Sequence, residues 1–340
     1  MYRPLPAISA SVPAATPSES IRLVYAPADG IPAPAAGESL LGLVGYGVPL
    51  PDAEPAGAPR AEIPLDGLGA RPPLEAWYAP GPVEYGEAEG IRHAMNGTVL
   101  FGVARMPAGR PDSAARETYL GIVRLVRRAG YPTIFRMWNY LPDINLDQLG
   151  LERYRWFCVG RYQAFAESGY TFGEDLPAAS AIGSTRGDSW VVFAAGRGSA
   201  AQIENPRQLS AYRYPSDYGP RSPSFSRAMV FEAAGRGKTL FISGTASIVG
   251  HETAHRGDPV AQCLATVENL RAILRRVGID GPASLGRRAA WKVYLRNPLD
   301  FEAVSACLAQ ALDPASPVLY LAGDICRDSL LLEIEGVVKL

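Results

Sequence analysis

KTLFISGTA, residues Lys238–Ala246, reads as a β-strand, and the chain contains an earlier stretch that matches it. Gly97–Ala104, GTVLFGVA, has the same apolar centre, and Phe101 and Phe241 stand 140 residues apart. A loop and an amphipathic helix follow each: SAARETYLGIVRLVRRAG (113–130) and PVAQCLATVENLRAILRRVG (259–278). Leu120, Val123 and Val126 in the first, and Val267, Leu270, Ile273, Leu274 and Val277 in the second, have the 3–4 spacing of one buried face. Gly130 and Gly278 are expected just past the helix ends, where a left-handed backbone favours glycine.

The match continues outward. TIFRMWNYLPDI (133–144) and AAWKVYLRNPLD (289–300) are the next strands, with Tyr140-Leu141 answering Tyr294-Leu295. Helices LERYRWFCVGRYQAFAESG (151–169) and FEAVSACLAQAL (301–312) come next. The closing strands lie in AIGSTRGDSWVVFAAG (181–196) and LAGDICRDSLLLEIEG (321–336), where Asp188-Ser189 and Asp328-Ser329 are again 140 apart. An opening hairpin precedes the second copy in SRAMVFEAAGRGKTLFIS (226–243). Two copies of strand–helix–strand–helix–strand predict an α+β fold, each unit a mixed sheet with helices on one face. The expected division is a loose arm at 1–20, a first unit at 21–205, a linker at 206–225 and a second unit at 226–340. A Pro/Gly/Ala-rich stretch at 48–83 is expected to be a surface excursion of the first unit.

Formal net charge is −1, which gives no basic field for nucleic acid. No apolar run reaches the ~18–20 residues that span a bilayer. The N-terminal MYRPLPAISASVPAATPSES lacks a continuous apolar core, so no secretory leader is expected and the location expected is cytoplasmic. Four cysteines show no C-x-x-C spacing, and buried thiols are the plain reading. His251-Glu252-Thr253-Ala254-His255 has the H-E-x-x-H spacing of zinc peptidases, which need both histidines on one helix face. Gly257 argues against such a helix, and Asp258-Pro259 looks like an N-cap followed by the first residue of the next one. The string is therefore expected in a loop, with no metal.

The second copy resembles the RidA (YjgF) superfamily: LFISGTASIVG, PVAQCLATVENLRAILRRVG, VYL and LLLEIEGVV carry the likeness. The whole chain is more similar to the chorismatases, tandem RidA-like enzymes with a chorismate-mutase-like fold that release pyruvate from chorismate. FRMWNYLPDIN (135–145), YGPRSPSFSRAMVF (218–231) and FISGTASIVGHETAH (241–255) carry that resemblance, in which GHETxH is a family string and not a zinc site.

Alternation in LLLEIEGV (330–337) puts Glu333 and Glu335 on one strand face and Leu332 and Ile334 on the other. At the 140-residue offset, Phe193 and Ala195 stand in their places in the first copy, so acid–base chemistry is expected of the second copy alone. A solvated strand face is the plain alternative. The resemblance implies that Glu333 is the catalytic acid, donating a proton to the enolpyruvyl group without a cofactor. Chorismate is a dianion, so arginines are expected to hold it. RidA proteins keep an arginine upstream of the last strand, but PASPVLYLAGD (314–324) has none. Arg221, Arg155, Arg161 and Arg136 are the candidates; Arg221 and Arg155 are favoured, with Tyr212 as a hydroxyl donor. The resemblance further associates Gly244 and Cys326 with the branch that forms 3-hydroxybenzoate.

Three other readings stay open. One is the hydrolytic branch, giving 3,4-dihydroxycyclohexa-1,5-dienoate. The second is a RidA-like imine hydrolase or metabolite-binding protein. The third is a zinc peptidase. RidA proteins are trimers, and two fused copies leave monomer or trimer open for this chain.

Overall fold

The computed structural model describes residues 21–27, 30–50, 55–69, 73–184, 186–233 and 237–340. The arm expected at 1–20 lies outside the described residues. Four helices are central to the fold: α1 (Pro111–Arg128), α2 (Arg153–Glu167), α3 (Pro259–Arg275) and α4 (Phe301–Ala311). Asp258 caps α3 by accepting the Ala261 N–H at 2.9 Å, and Pro259 takes the first helical position, as expected. Gly130 and Gly278 both have φ +79°, and beyond them Tyr131 and Ile279 donate back to Val126 and Leu274 to close α1 and α3.

Both copies fold alike. Strand Trp190–Gly196 lies antiparallel between Val99–Arg105 and Thr133–Pro142. Leu332–Lys339 lies in the same way between Lys238–Thr245 and Ala289–Leu295. Beyond each central strand runs a parallel one, Ala178–Ser184 beside Thr133–Pro142 and Val318–Ala322 beside Ala289–Leu295, reached through α2 and α4. Each stretch expected as a single closing element therefore holds two strands. The result is a pair of seven-stranded mixed sheets in an α+β fold. Helices α1 and α2 cover one outer face, and α3 and α4 the other.

Two features depart from the expected layout. The 48–83 stretch contributes strands Arg60–Ile63 and Pro73–Pro80, which join Arg22–Pro27 and Glu38–Tyr46 in a third sheet. Ala61, Ile63, Leu65, Trp77 and Ala79 of this stretch are buried in the core it shares with the inner faces of the two large sheets. Second, the chain enters the second sheet before residue 206: strand Gly198–Ile203 pairs antiparallel with Ala228–Ala233. The inner faces of all three sheets share one core. Phe135 stacks on Phe231 at 4.2 Å, and Trp77 packs against Trp138 at 5.2 Å.

Candidate active site

On strand Leu332–Lys339 the helix-facing residues Leu332, Ile334 and Val338 belong to the core under α3 and α4. Glu333 and Glu335 point the other way, into the space between sheets, and both are 4% exposed. A solvated strand face is thus ruled out. Their counterparts in the first copy follow from the ladders. Glu333 pairs with Tyr294 and Glu335 with Lys292; Trp190 pairs with Tyr140 and Val192 with Trp138. With Tyr140 matched to Tyr294, Glu333 corresponds to Trp190 and Glu335 to Val192. The 140-residue offset misses by three residues, and an odd slip reverses the strand face. Phe193 and Ala195, the counterparts expected from sequence, face α1 and α2 instead. The conclusion that the first copy lacks both carboxylates still holds.

Glu335 is held at both oxygens. Lys292 Nζ lies 3.0 Å from Oε1, and the Trp138 indole N–H donates to the same oxygen at 2.8 Å. Arg136 donates to Oε2 at 2.6 Å, and the Ser180 hydroxyl donates to it as well. Burial opposes the charge on Glu335, but Lys292, Arg136 and Ser180 outweigh it and hold the carboxyl below the usual carboxylate range. Lys292 is shared with Glu75 of the third sheet, at 2.5 Å. Burial pushes Glu75 up against the pull of Lys292, so Glu335 is the stronger acid of the two.

Among the described residues, Glu333 has no such hydrogen-bond or ion-pair partners. Burial, and then the charge of Glu335, push its carboxyl up to about 8, against weaker pulls from Arg136 and Arg227. These surroundings favour the protonated carboxyl at neutral pH. Gly244 sits against it in an irregular part of strand Lys238–Thr245, where the pairing register shifts between Ile242 and Thr245. A Cβ at Gly244 would stand 2.5 Å from Glu333 Cδ and closer still to Oε1. The Gly244 N–H donates to Ser180 Oγ at 3.0 Å, joining the two halves of the chain beside the acid.

Glu333 lines a cavity of about 650 Å³ between the two copies. Arg155, Arg161 and Ser180 come from the first copy, and Gly244, Cys326 and Arg327 from the second. Tyr214, Tyr218 and Arg227 come from the connecting segment or its edge. Arg161 is buried, with its Nη2 3.9 Å from Cys158 Sγ and its guanidinium 4.9 Å from the Phe157 ring centre. Arg227 donates to the Leu209 carbonyl and the Tyr214 hydroxyl, both at 2.8 Å. Arg327 lies over the Tyr218 ring at 4.0 Å and donates to the His251 carbonyl at 2.7 Å. Among the described residues, none of these three pairs with a carboxylate. Three arginines line one cavity without a direct carboxylate partner, which suits an anionic ligand. Burial pushes the Cys326 thiol up to about 12, so it is neutral beside Glu333.

Of the residues expected from sequence, Glu333, Arg155, Gly244 and Cys326 meet in this cavity. Arg155 is partly engaged by Glu152 at 3.2 Å. Arg221 is not brought there: it is exposed, with its guanidinium 4.5 Å from the Tyr162 ring centre. Tyr212 packs by Gly173 against the core under α1 and α2. Arg136, a further candidate, is taken up by Glu335. Arg161, named from sequence but not favoured, also lines the cavity, as do Arg227 and Arg327, which sequence reasoning did not name. A signal for Arg161 was present. Tyr154, Phe157, Cys158 and Arg161 make the buried stripe of α2, and a charge on such a stripe needs a purpose.

The H-E-x-x-H residues do not form a helix. Glu252–Thr253 pairs with Ile248–Val249 in a small hairpin, and His255 has a left-handed backbone at φ +54°. His251 instead meets Tyr218, whose hydroxyl donates to its carbonyl at 2.7 Å at the cavity wall. No helix of the described residues is long and apolar enough to cross a membrane.

Comparison with known proteins agrees with this geometry. The model of the N-terminal domain of FkbO/Hyg5-like chorismatases matches residues 75–195. A 3-hydroxybenzoate synthase of Streptomyces hygroscopicus is 40% identical over 320 residues, 90% of this chain and 93% of that protein. A chorismatase of Streptomyces rapamycinicus is 40% identical over 318 residues, 88% of this chain and 93% of its own. A chorismatase crystal structure superposes with a TM-score of 0.83 at 38% identity, covering 94% of this chain and 98% of that one. With such identity sustained over nearly the full length of both relatives, the chain belongs to the chorismatase family.

Proposed function

We propose that this enzyme converts chorismate to 3-hydroxybenzoate and pyruvate, with Glu333 as the catalytic acid. The observation that carries this reading is a buried carboxyl, its surroundings favouring the protonated form, in a cavity where Arg161, Arg227 and Arg327 form no ion pair with a carboxylate among the described residues. Arg161, Arg227, Arg327 and Arg155 are assigned to the two substrate carboxylates. The Glu333 proton goes to the terminal methylene of the enolpyruvyl group, leaving an oxocarbenium ion stabilised by the ether oxygen. The neighbouring ring hydroxyl then attacks the ring carbon that bears the ether. That C–O bond breaks, its electron pair completes the pyruvate carbonyl, and the hydroxyl proton returns to Glu333. The arene oxide left behind opens and sheds a ring hydrogen as a proton, giving the phenol. Atoms balance without water, and the steps draw on no cofactor or metal.

Gly244 and Cys326 both line the cavity with Glu333, which supports the aromatising branch over the hydrolytic one. A single chain supplies both cavity walls, which supports a site complete in one protomer. Free cysteines at Cys158, Cys263, Cys307 and Cys326 support a cytoplasmic location. The strand pairing supports a first unit that includes the third sheet and ends near Gly196, ahead of Gly198–Ile203.

The test is incubation of purified protein with chorismate in D₂O, followed by chromatography and NMR. The expected products are 3-hydroxybenzoate and pyruvate carrying one solvent deuteron in its methyl group. Pyruvate with a non-aromatic diol moves the enzyme to the hydrolytic branch. No consumption beyond a no-enzyme control returns it to imine hydrolysis or metabolite binding.

A further inference from the structure

Glu335 is not among the cavity-lining residues, yet it is tied into a buried polar cluster. Two strands of the second sheet, two of the first and one of the third converge there, through Glu335, Lys292, Arg136, Trp138, Ser180 and Glu75. A buried ion cluster adds little net stability over apolar packing, because desolvation offsets the attraction. Its position suggests another use. Glu335 lies two residues from Glu333 on the same strand face. Ser180, which donates to Glu335, also accepts the Gly244 N–H, and Gly244 is the residue packed on the Glu333 carboxyl.

We infer that Glu335 is a positioning residue for Glu333: fixed as a carboxylate by Lys292, Arg136 and Ser180, it keeps the neighbouring acid in its proton-donating form. The inference rests on the reading of Glu333 as the acid. The charged and titratable groups acting on Glu333 are Glu335 on its own strand, Arg136 on Thr133–Pro142 and Arg227 ahead of Ala228–Ala233. Cys326 and Tyr294 adjoin it from the preceding loop and the paired strand. Of these, only Glu335 brings a fixed negative charge. Replacing it with a neutral group removes the repulsion and frees Arg136 to act on Glu333. Both changes favour the ionised, inactive form.

The experiment uses Glu335→Gln and Ser180→Ala. The Glu333 carboxyl is titrated by infrared difference spectroscopy, its band assigned with Glu333→Gln, and kcat/KM for chorismate is measured against pH. In Glu335→Gln the Glu333 midpoint is expected to fall by about one pH unit or more. The alkaline limb of kcat/KM, which reports the free enzyme, should move with it. Ser180→Ala, which removes no buried charge, should shift both in the same direction by less, and it keeps the test alive if Glu335→Gln fails to fold. A midpoint unmoved in a folded variant, even with lower activity, overturns the inference and leaves Glu335 a structural residue. The titration needs no turnover, so absence of chorismate conversion by the unmodified protein sinks the functional reading without deciding this one.

Discussion

Gly244 leaves no room for a side chain because the Glu333 carboxyl occupies the space: a Cβ would stand 2.5 Å from Glu333 Cδ. The two residues come from neighbouring strands at the point where their register shifts. Gly244→Ala therefore forces Glu333 to another rotamer while leaving its chemistry unchanged. Overpacking of this kind costs about 1–3 kcal/mol. Turnover is expected to fall about tenfold or more, with a smaller share of 3-hydroxybenzoate among the products. Quantifying ring products against pyruvate checks both. Unchanged turnover and product ratio would mean that Glu333 adapts without penalty and that Gly244 does not set the outcome.

Glu333→Gln keeps the shape of the side chain but has no carboxyl proton to give. General acid catalysis is worth about 10²–10⁴-fold, so kcat should drop within that range while chorismate still binds. Pyruvate release and equilibrium binding, measured on the same preparation, separate the two effects. Turnover like that of the unmodified enzyme removes Glu333 from the mechanism.

The acid must be protonated to act, and burial with the nearby Glu335 charge places its midpoint at about 8. The rate should hold on the acid side and fall about tenfold per pH unit above that midpoint. A profile of kcat/KM for the free enzyme from pH 6 to 10 reads it directly. Activity that stays level beyond pH 9 contradicts a single buried carboxyl as donor.

Arg161 pays for its burial without a carboxylate to answer it. Arg161→Met removes that charge and keeps much of the packing. A charge-assisted hydrogen bond contributes about 1.5–3 kcal/mol, so the KM for chorismate is expected to rise roughly 10- to 100-fold. The Tm without ligand should hold or rise, since an uncompensated buried cation is lost. A lower Tm with an unchanged KM would make Arg161 part of the scaffold.

The repeat was legible because helix and strand periods differ and each copy preserves its own. The 113–130 and 259–278 helices, Asp258 as a cap, and the glycines after both helices follow from local chemistry. What local chemistry does not carry is register. Asp188-Ser189 and Asp328-Ser329 suggested one constant offset, but the ladders pair Tyr140 with Trp190 and Tyr294 with Glu333. The third sheet was hidden for another reason: its strands lie among prolines and glycines, and their burial depends on two distant sheets. Arginines in the connecting segment present a similar limit. Arg221 and Arg227 are six residues apart in one loop-like string, yet one is exposed and the other lines the cavity.

Glu333 also links stability to pH. Its ordinary value is 4.5, and in the folded protein it is about 8. Between those values the native state holds a proton that the unfolded chain has released. Stability from this group is therefore fully present below about pH 4.5 and is lost as pH rises toward 8. Glu333→Gln has no such ionisation, so the unmodified protein should lose ground to the variant across that window, by on the order of a few kcal/mol. Thermal melts of both proteins at pH 5, 6.5 and 8.5 measure the gap, with common changes from other groups cancelling in the difference. A gap that widens toward pH 8.5 supports a proton held on Glu333 in the resting enzyme. A constant gap means that Glu333 ionises normally in the folded state, and the acid must then be sought elsewhere in the cavity.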